Sequence, residues 1–244
     1  MPKIDVENAF GDFVRAFGGE VLEDTYGTSL SYSNADYIFR DQNVIGELKR
    51  LVDNKSKDED VQAKIEAKFD AWVQDGTVGP VYGRVVVESK DLPERCQREL
   101  LDVFRPALRR RILKANKQIR ETALALGLPE AKGLLFIVND GNYALEADAA
   151  VYLIGRILGN ECSSINSVVY LTVNMIASSP LTDKQVFVWV HANRRGIIDP
   201  VDTQFVMKLF ELWRAHLEYL RKEPIEALLL ENKNLERIRY DTQA

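Results

Sequence analysis

Asp36, Glu47 and Lys49 are the residues of this 244-residue chain whose types and spacing could do chemistry together. They lie in Ala35 to Arg50, ADYIFRDQNVIGELKR, which reads as two short strands around a tight polar turn. Tyr37, Ile38 and Phe39 favour a pleated, half-buried surface, as do Val44, Ile45 and Leu48. Arg40-Asp41-Gln42-Asn43 is the one plausible reversal between them. A two-residue or a four-residue loop there sets Asp36 opposite Glu47. Like charges facing each other across an antiparallel pair destabilise it unless a cation sits between them. Side chains alternate along a strand, so Lys49 points to the same face as Glu47. Two carboxylates and an ammonium then converge on one patch of sheet. The alternative is a solvated, salt-bridged ladder worth under about 1 kcal/mol.

The elements that would position these groups follow from periodicity. Residues 5–17, DVENAFGDFVRAF, carry apolar side chains at helical spacing, and Gly18-Gly19 ends the helix. Glu7 falls on the margin of that apolar stripe, best placed of the helix acids to look toward a neighbouring strand. It could equally be an N-terminal acid complementing the helix dipole. Glu20 to Tyr32 reads as one strand with an irregularity at Gly27. After Leu51 the chain turns polar, and a helix follows from about Asp58 to Gln74. Val81 to Val87 is strand-like, and Lys90-Asp91-Leu92-Pro93 is a turn that starts another helix. Residues 52–106 look like an insertion.

A basic helix is expected from Pro106, which suits a first helical position, to about Leu126. Arg111, Lys114 and Gln118 make one ridge on its flank, either a solvated face or a phosphate contact. Residues 133–140, GLLFIVND, fit a buried central strand. Ala144 to Leu158 reads as helix, and Ser167–Val173 and Gln185–His191 as strands. That order predicts a mixed α/β sheet with some parallel pairing. Residues 202–222 form an amphipathic helix in which His216 sits among apolar neighbours, the place of a packed imidazole rather than a ligand. Pro224 is expected to start a final helix, the two C-terminal helices either packing on the sheet or making a homodimer interface. Glu146 and Asp148 lie at a helix start, where the dipole accounts for them.

Composition bounds the function classes. The chain is 46% hydrophobic and 28% charged with a net charge of −5, which argues against broad nucleic-acid coating. Yet Arg105, Arg109, Arg110, Arg111, Lys114, Lys117 and Arg120 fall in one helix, with no acid among them, and could grip a phosphate backbone locally. The longest apolar runs are strand-sized, so no membrane span is expected. MPKIDVENAF lacks the layout of a secretion signal, and Cys96 and Cys162 read as reduced thiols, both pointing to a cytoplasmic protein. With His191 and His216 the only histidines, a His-based zinc site is not expected.

The order helix, strand, Asp-bearing strand, Glu-x-Lys strand, later helix and central strand resembles the PD-(D/E)XK, or restriction-endonuclease-like, nuclease superfamily. Asp36 in NADYIF and Glu47-Leu48-Lys49 in VIGELKRL carry the resemblance, over residues 5–50 and about 106–140. Ala35 stands where the family's name has a proline, which members often lack. The resemblance implies an α/β fold: a restriction-endonuclease-like core, a mixed central β-sheet flanked by helices, with an insertion after the third core strand and a C-terminal helical extension. It implies a Mg²⁺-dependent phosphodiesterase, with Mn²⁺ a possible substitute, acting on DNA, with RNA as an alternative substrate. Asp36, Glu47 and the main-chain carbonyl of Leu48 would bind the metal, and Lys49 would orient or deprotonate the attacking water. Glu7 matches an acid that often joins such sites from the first helix. Lys114 and Gln118, with Arg111 and Lys117 beside them, match residues that support the site or touch phosphate. The alternative class is a catalytically silent nucleic-acid-binding or scaffolding subunit.

Overall fold

The computed structural model describes residues 3–27, 34–52, 58–80, 89–143, 145–175, 177–179, 182–229 and 239–240. The expected strand over 81–87 and the residues 28–32 of the expected strand 20–32 lie outside them.

Helix α1 (Val6–Phe17) starts where Asp5 caps the free N–H groups of Glu7 and Asn8, and ends at Gly18 in the left-handed conformation, φ 89°. Its stripe of Val6, Phe10, Phe13 and Val14 is fully buried. The expected long strand from Glu20 is instead a two-residue strand, β1 (Glu20–Val21), followed by a short helix, α2 (Leu22–Tyr26). Strand β2 (Tyr37–Phe39) and strand β3 (Val44–Leu51) form the expected hairpin, with Phe39 opposite Val44 and Tyr37 opposite Gly46. The reversal is a 3₁₀ turn over Arg40–Gln42 closed by Asn43 at φ 51°, so the loop has four residues. Asparagine tolerates that backbone better than most residues.

Helix α3 (Glu59–Gln74) follows, capped by Asp58. The basic helix does not begin at Pro106: α4 runs unbroken from Glu94 to Ala125 with Pro106 inside it. An interior proline removes one backbone hydrogen bond and costs about 3 kcal/mol. The helix persists because both halves are anchored. Cys96 packs with Trp72 and Leu92 in a small cluster of its own, while Leu108, Ile112, Ala115 and Ile119 pack on the sheet.

Strand β4 (Lys132–Asn139) lies parallel to β3 along all eight residues, Val44 to Leu51 against Lys132 to Asn139. Helix α5 (Ala147–Glu161) then leads to β5 (Ser167–Thr172), parallel to β4. Strand β6 (Ala177–Ser179) precedes β7 (Thr182–Asn193), which is antiparallel to both β5 and β6. Helix α6 (Thr203–Arg221) matches the expected 202–222 helix. The final helix expected after Pro224 is a strand, β8 (Glu226–Leu229), parallel to β7. Trp189 pairs with Leu171 on one side and Leu229 on the other, so β8 adds to the β7 edge opposite β5. A short apolar run fits either period, and an open strand edge decides for pairing. Strand β9 (Arg239–Tyr240) pairs with β6, so the described strands form one mixed sheet.

Alternation along the strands builds two cores. Ile38, Ile45, Leu51, Leu135 and Ile137 face α4 and α5. Phe39, Val44, Leu48, Phe136 and Val138 face α1 and α6, where Phe10, Phe13 and Trp213 stack within about 5 Å of one another. The C-terminal helix is therefore one layer of the core. No helix among the described residues is long and apolar enough to cross a membrane.

Gly133 tests how closely β4 approaches the loop before β5. A Cβ there would lie 1.9 Å from the carbonyl oxygen of Ser164, which is backbone and cannot swing away. Gly133→Ala is expected to destabilise the fold by about 3 kcal/mol, and so to lower Tm by roughly 6–12 °C in a chain of this size. Thermal unfolding followed by circular dichroism checks this, and an unchanged Tm would contradict the close approach.

Candidate active site

The site begins with the register of β2 on β3. The ladder of β2 on β3 ends at the Tyr37–Gly46 pair, and just before it the Asp36 N–H donates to the Gly46 carbonyl at 3.2 Å, a bond outside the regular register. The Asp36 carboxylate then accepts the Leu48 N–H at 2.7 Å through Oδ2. In a strand the N–H and C=O of one residue point to the same edge, so the Leu48 carbonyl also faces the Asp36 side. Glu47 and Lys49 lie on the α4 face, and the Lys49 ammonium donates to Glu47 Oε1. Asp36 and Lys49 both lie close enough to act on the Glu47 carboxylate.

Burial sets the electrostatics. Glu47 has no solvent exposure, and its second oxygen, Oε2, has no hydrogen-bond partner. Loss of water pushes its pKa up to about 8; Asp36 raises it further, while Lys49 and Lys114 pull the other way. Asp36, half-buried, is also raised, first by burial, against the Leu48 N–H and Lys49; Glu7 and Glu23 add to the rise. The tight contact with Lys49 favours a charged Glu47, whereas burial and Asp36 favour a neutral one. We take the upward direction to hold, because desolvation and a like charge both act on the group with the unpartnered oxygen.

Helix α4 holds the Asp36 end of this arrangement. Thr122 Oγ1 accepts the Ala35 N–H at 2.7 Å, and the Gln118 side-chain amide donates to the Asn34 carbonyl at 2.7 Å. Gln118 is nearly buried, and this bond supports the backbone just before Asp36. Lys114 is exposed on the same helix. Lys117 pairs with Glu121 at 3.6 Å, and Arg105 and Arg109 both reach Glu161 of α5, so part of the basic helix is already neutralised.

Glu7 looks toward a neighbouring strand, β3, and meets Arg50 there. It is 69% exposed and pairs with Arg50 at 3.1 Å, on the α1 face, where alternation sends Arg50 away from Glu47 and Lys49. Its influence on Asp36 is electrostatic. Arg50 also binds Asp140 at 2.6 Å, and Asp140 accepts the Asn174 side-chain amide at 2.8 Å. This network ties the ends of β3 and β4 together and escapes a linear reading, because Asp140 and Asn174 approach Arg50 only once β4 lies against β3. Cys96 and Cys162 are buried free thiols, and burial pushes Cys162 up to about 11.

No family model, curated protein or solved structure matches the chain. Among the described residues, no group of three or more His, Cys, Asp and Glu side chains is arranged to hold a metal ion. Two carboxylates and a main-chain carbonyl nonetheless suit Mg²⁺, which is commonly held by one or two carboxylates and takes its remaining ligands from water and phosphate. The unpartnered buried Oε2 of Glu47 fits such a role.

The raised pKa of Glu47 predicts a pH dependence in metal-free protein. The folded state holds a proton on Glu47 up to about pH 8, whereas the unfolded chain releases it near the ordinary carboxylate value of 4.5. Folded protein therefore binds more protons between those values, and this group's contribution to stability falls as pH rises through that window, by on the order of a few kcal/mol. Urea unfolding in EDTA from pH 5 to 8.5 is expected to show that fall and Glu47→Gln to flatten it; parallel profiles would show Glu47 to be ionised throughout.

Proposed function

We propose that this chain is a Mg²⁺-dependent phosphodiesterase of the PD-(D/E)XK type that cuts DNA. The observation that carries the reading is that Asp36 and Lys49 both lie beside Glu47, a buried carboxylate whose second oxygen has no hydrogen-bond partner. The element order supports it: α1, the antiparallel β1–β2–β3 run, α4, then β4 parallel to β3.

Asp36, Glu47 and the Leu48 carbonyl would hold the metal. When bound, Mg²⁺ would polarise the scissile phosphate and lower the pKa of a bound water. Lys49, beside Glu47, would orient the attacking water and offset negative charge developing on the phosphate. Lys49 is 16% exposed, so its amine reaches the surface that Glu47 does not. Lys114 and Arg111 present positive charge from α4 on the same side of the sheet.

One observation favours a second reading, a nucleic-acid-binding subunit without turnover. Complete burial of Glu47 under Lys49 is also what a structural ion pair looks like.

Metal and cleavage separate the two. Purified protein is expected to nick or cut DNA with Mg²⁺ or Mn²⁺ and to be inactive in EDTA. Lys49→Ala should abolish cutting with the fold intact, because a protonated Glu47 leaves no buried charge unpaired when the amine is removed. Calorimetric titration with Mg²⁺ should give heat with wild type and none with Asp36→Ala; identical heats, or cutting by the Lys49 variant, would remove the site. Arg111→Ala combined with Lys114→Ala should weaken DNA binding and reduce the slope of log affinity against log salt by up to about 2. An unchanged slope would take α4 out of the interface.

A further inference from the structure

A hollow of about 540 Å³ opens at the amino ends of β4 and β5, walled by the last turns of α4, the loop before β5 and the loop after β7. It is apart from the carboxylate site. Its β4 wall, Lys132, lies five residues before Ile137, the partner of Lys49, or about 16 Å along the strand. On α4 the hollow is lined by Arg120, about 160° round the helix from Gln118 and from Thr122, which hold Asn34 and Ala35.

Three cross-links fix these walls. Asn116 Oδ1 accepts the N–H groups of Ser163 and Ser164 at 3.2 and 2.8 Å, tying the loop before β5 to α4. Arg194 Nε donates to the Ile165 carbonyl at 2.9 Å, which sets that guanidinium, from the loop after β7, against the loop before β5. Lys132 Nζ donates to Asp199 Oδ1 at 2.5 Å and to the Pro200 carbonyl at 3.1 Å, so this ion pair holds the same loop to β4. The polar groups left over are the Arg120 guanidinium, the two Nη groups of Arg194, the Ser163 and Ser164 hydroxyls and the Glu130 carboxylate. None of these makes a hydrogen bond or ion pair among the described residues. Leu124, 68% exposed, and Ile198, 99% exposed, border the opening from α4 and from the loop after β7.

Size and charge select the occupant. The volume falls within the roughly 300–1,000 Å³ of small-molecule sites. Lys132 and Asp199 neutralise each other, which leaves two guanidinium groups against one carboxylate, Glu130. One guanidinium fork already fills both oxygens of a carboxylate. A phosphate monoester brings three oxygens and a charge of about −1.5 to −2, enough for two guanidinium groups and two hydroxyls. Leu124 and Ile198, large apolar side chains left in water at the mouth, suit the face of a flat ring. Glu130 repels phosphate but accepts hydrogen bonds from amino or hydroxyl groups carried with that ring. We propose that the hollow binds a nucleoside monophosphate, its phosphate between Arg120 and Arg194 and its base against Leu124 and Ile198. This site stands whether or not Asp36 and Glu47 hold a metal.

The test is calorimetric titration of the full chain in EDTA with the 5′-monophosphates of adenosine, guanosine, cytidine and uridine. At least one is expected to bind with a Kd below about 1 mM and to raise Tm. The matching nucleoside and inorganic phosphate should each bind at least about tenfold more weakly than that monophosphate, since each fills only part of the hollow. Arg120→Ala, at an exposed and unpaired side chain, should weaken binding at least about tenfold, with Tm in the absence of nucleotide confirming the fold. Arg194→Lys, which replaces a planar fork by a point charge, should weaken it severalfold and serves if the first variant does not fold. Lys49→Ala should bind as wild type does. No heat with any of the four, or unchanged affinity in the arginine variants, would overturn the proposal. So would phosphate binding as tightly as the nucleotide, which would mark an adventitious ion only, or nucleoside doing so, which would leave the arginines without a role. Loss of binding in Lys49→Ala would put the nucleotide at the carboxylate centre and equally overturn it.

Discussion

A carboxylate with no access to water, Glu47, is the constraint around which the rest of the structure is arranged. An isolated buried charge is expensive, so it must be protonated, paired or bound to a cation. The chain supplies one amine two residues away and, close by, a second acid that makes the problem worse. A fold selected for stability alone would gain by replacing such a group with an apolar one. Its presence on the central part of the sheet is the physical basis for reading the patch as a site.

Strand β3 delivers that patch because it has different neighbours along its length. Its first half is paired on both sides, by β2 and β4, whereas β2 stops at Tyr37 and β4 continues to Asn139. The end of β2 leaves the Leu48 backbone facing the Asp36 side chain instead of another strand, and the 2.7 Å bond between them fills the gap. Helix α4 completes the arrangement by bonding Asn34 and Ala35, just before Asp36. Positive charge on its outer face and the hydrogen bonds on its inner face therefore belong to one rigid element.

Two faces of β3 carry different duties. Glu47 and Lys49 look toward α4, while Arg50 looks toward α1 and joins Glu7 and Asp140. The acid on α1 is thus kept from the carboxylate pair by the pleat itself, one residue's shift sending a side chain to the other side. The Arg50 network locks the carboxyl ends of β3 and β4, from which the loop bearing Asn142 leaves.

Local patterns in the sequence were enough for α1 with its glycine end, a polar reversal at Arg40–Asn43 between two apolar strands, and a central strand beginning near Gly133. Each depends on near neighbours: helical spacing, period-two alternation, a polar turn between two apolar triplets. Tertiary structure alone decided the rest. Pro106 looked like a helix start, yet packing on both sides carried α4 through it. The apolar residues after Pro224 suited a helix until the open edge of β7 made them a strand. Glu7 and Gln118 were legible as polar residues near a site, but their partners, Arg50 and the Asn34 carbonyl, lie 43 and 84 residues away. Spacing along the chain records which side chains share a face, and contacts between distant elements are set only when the sheet assembles.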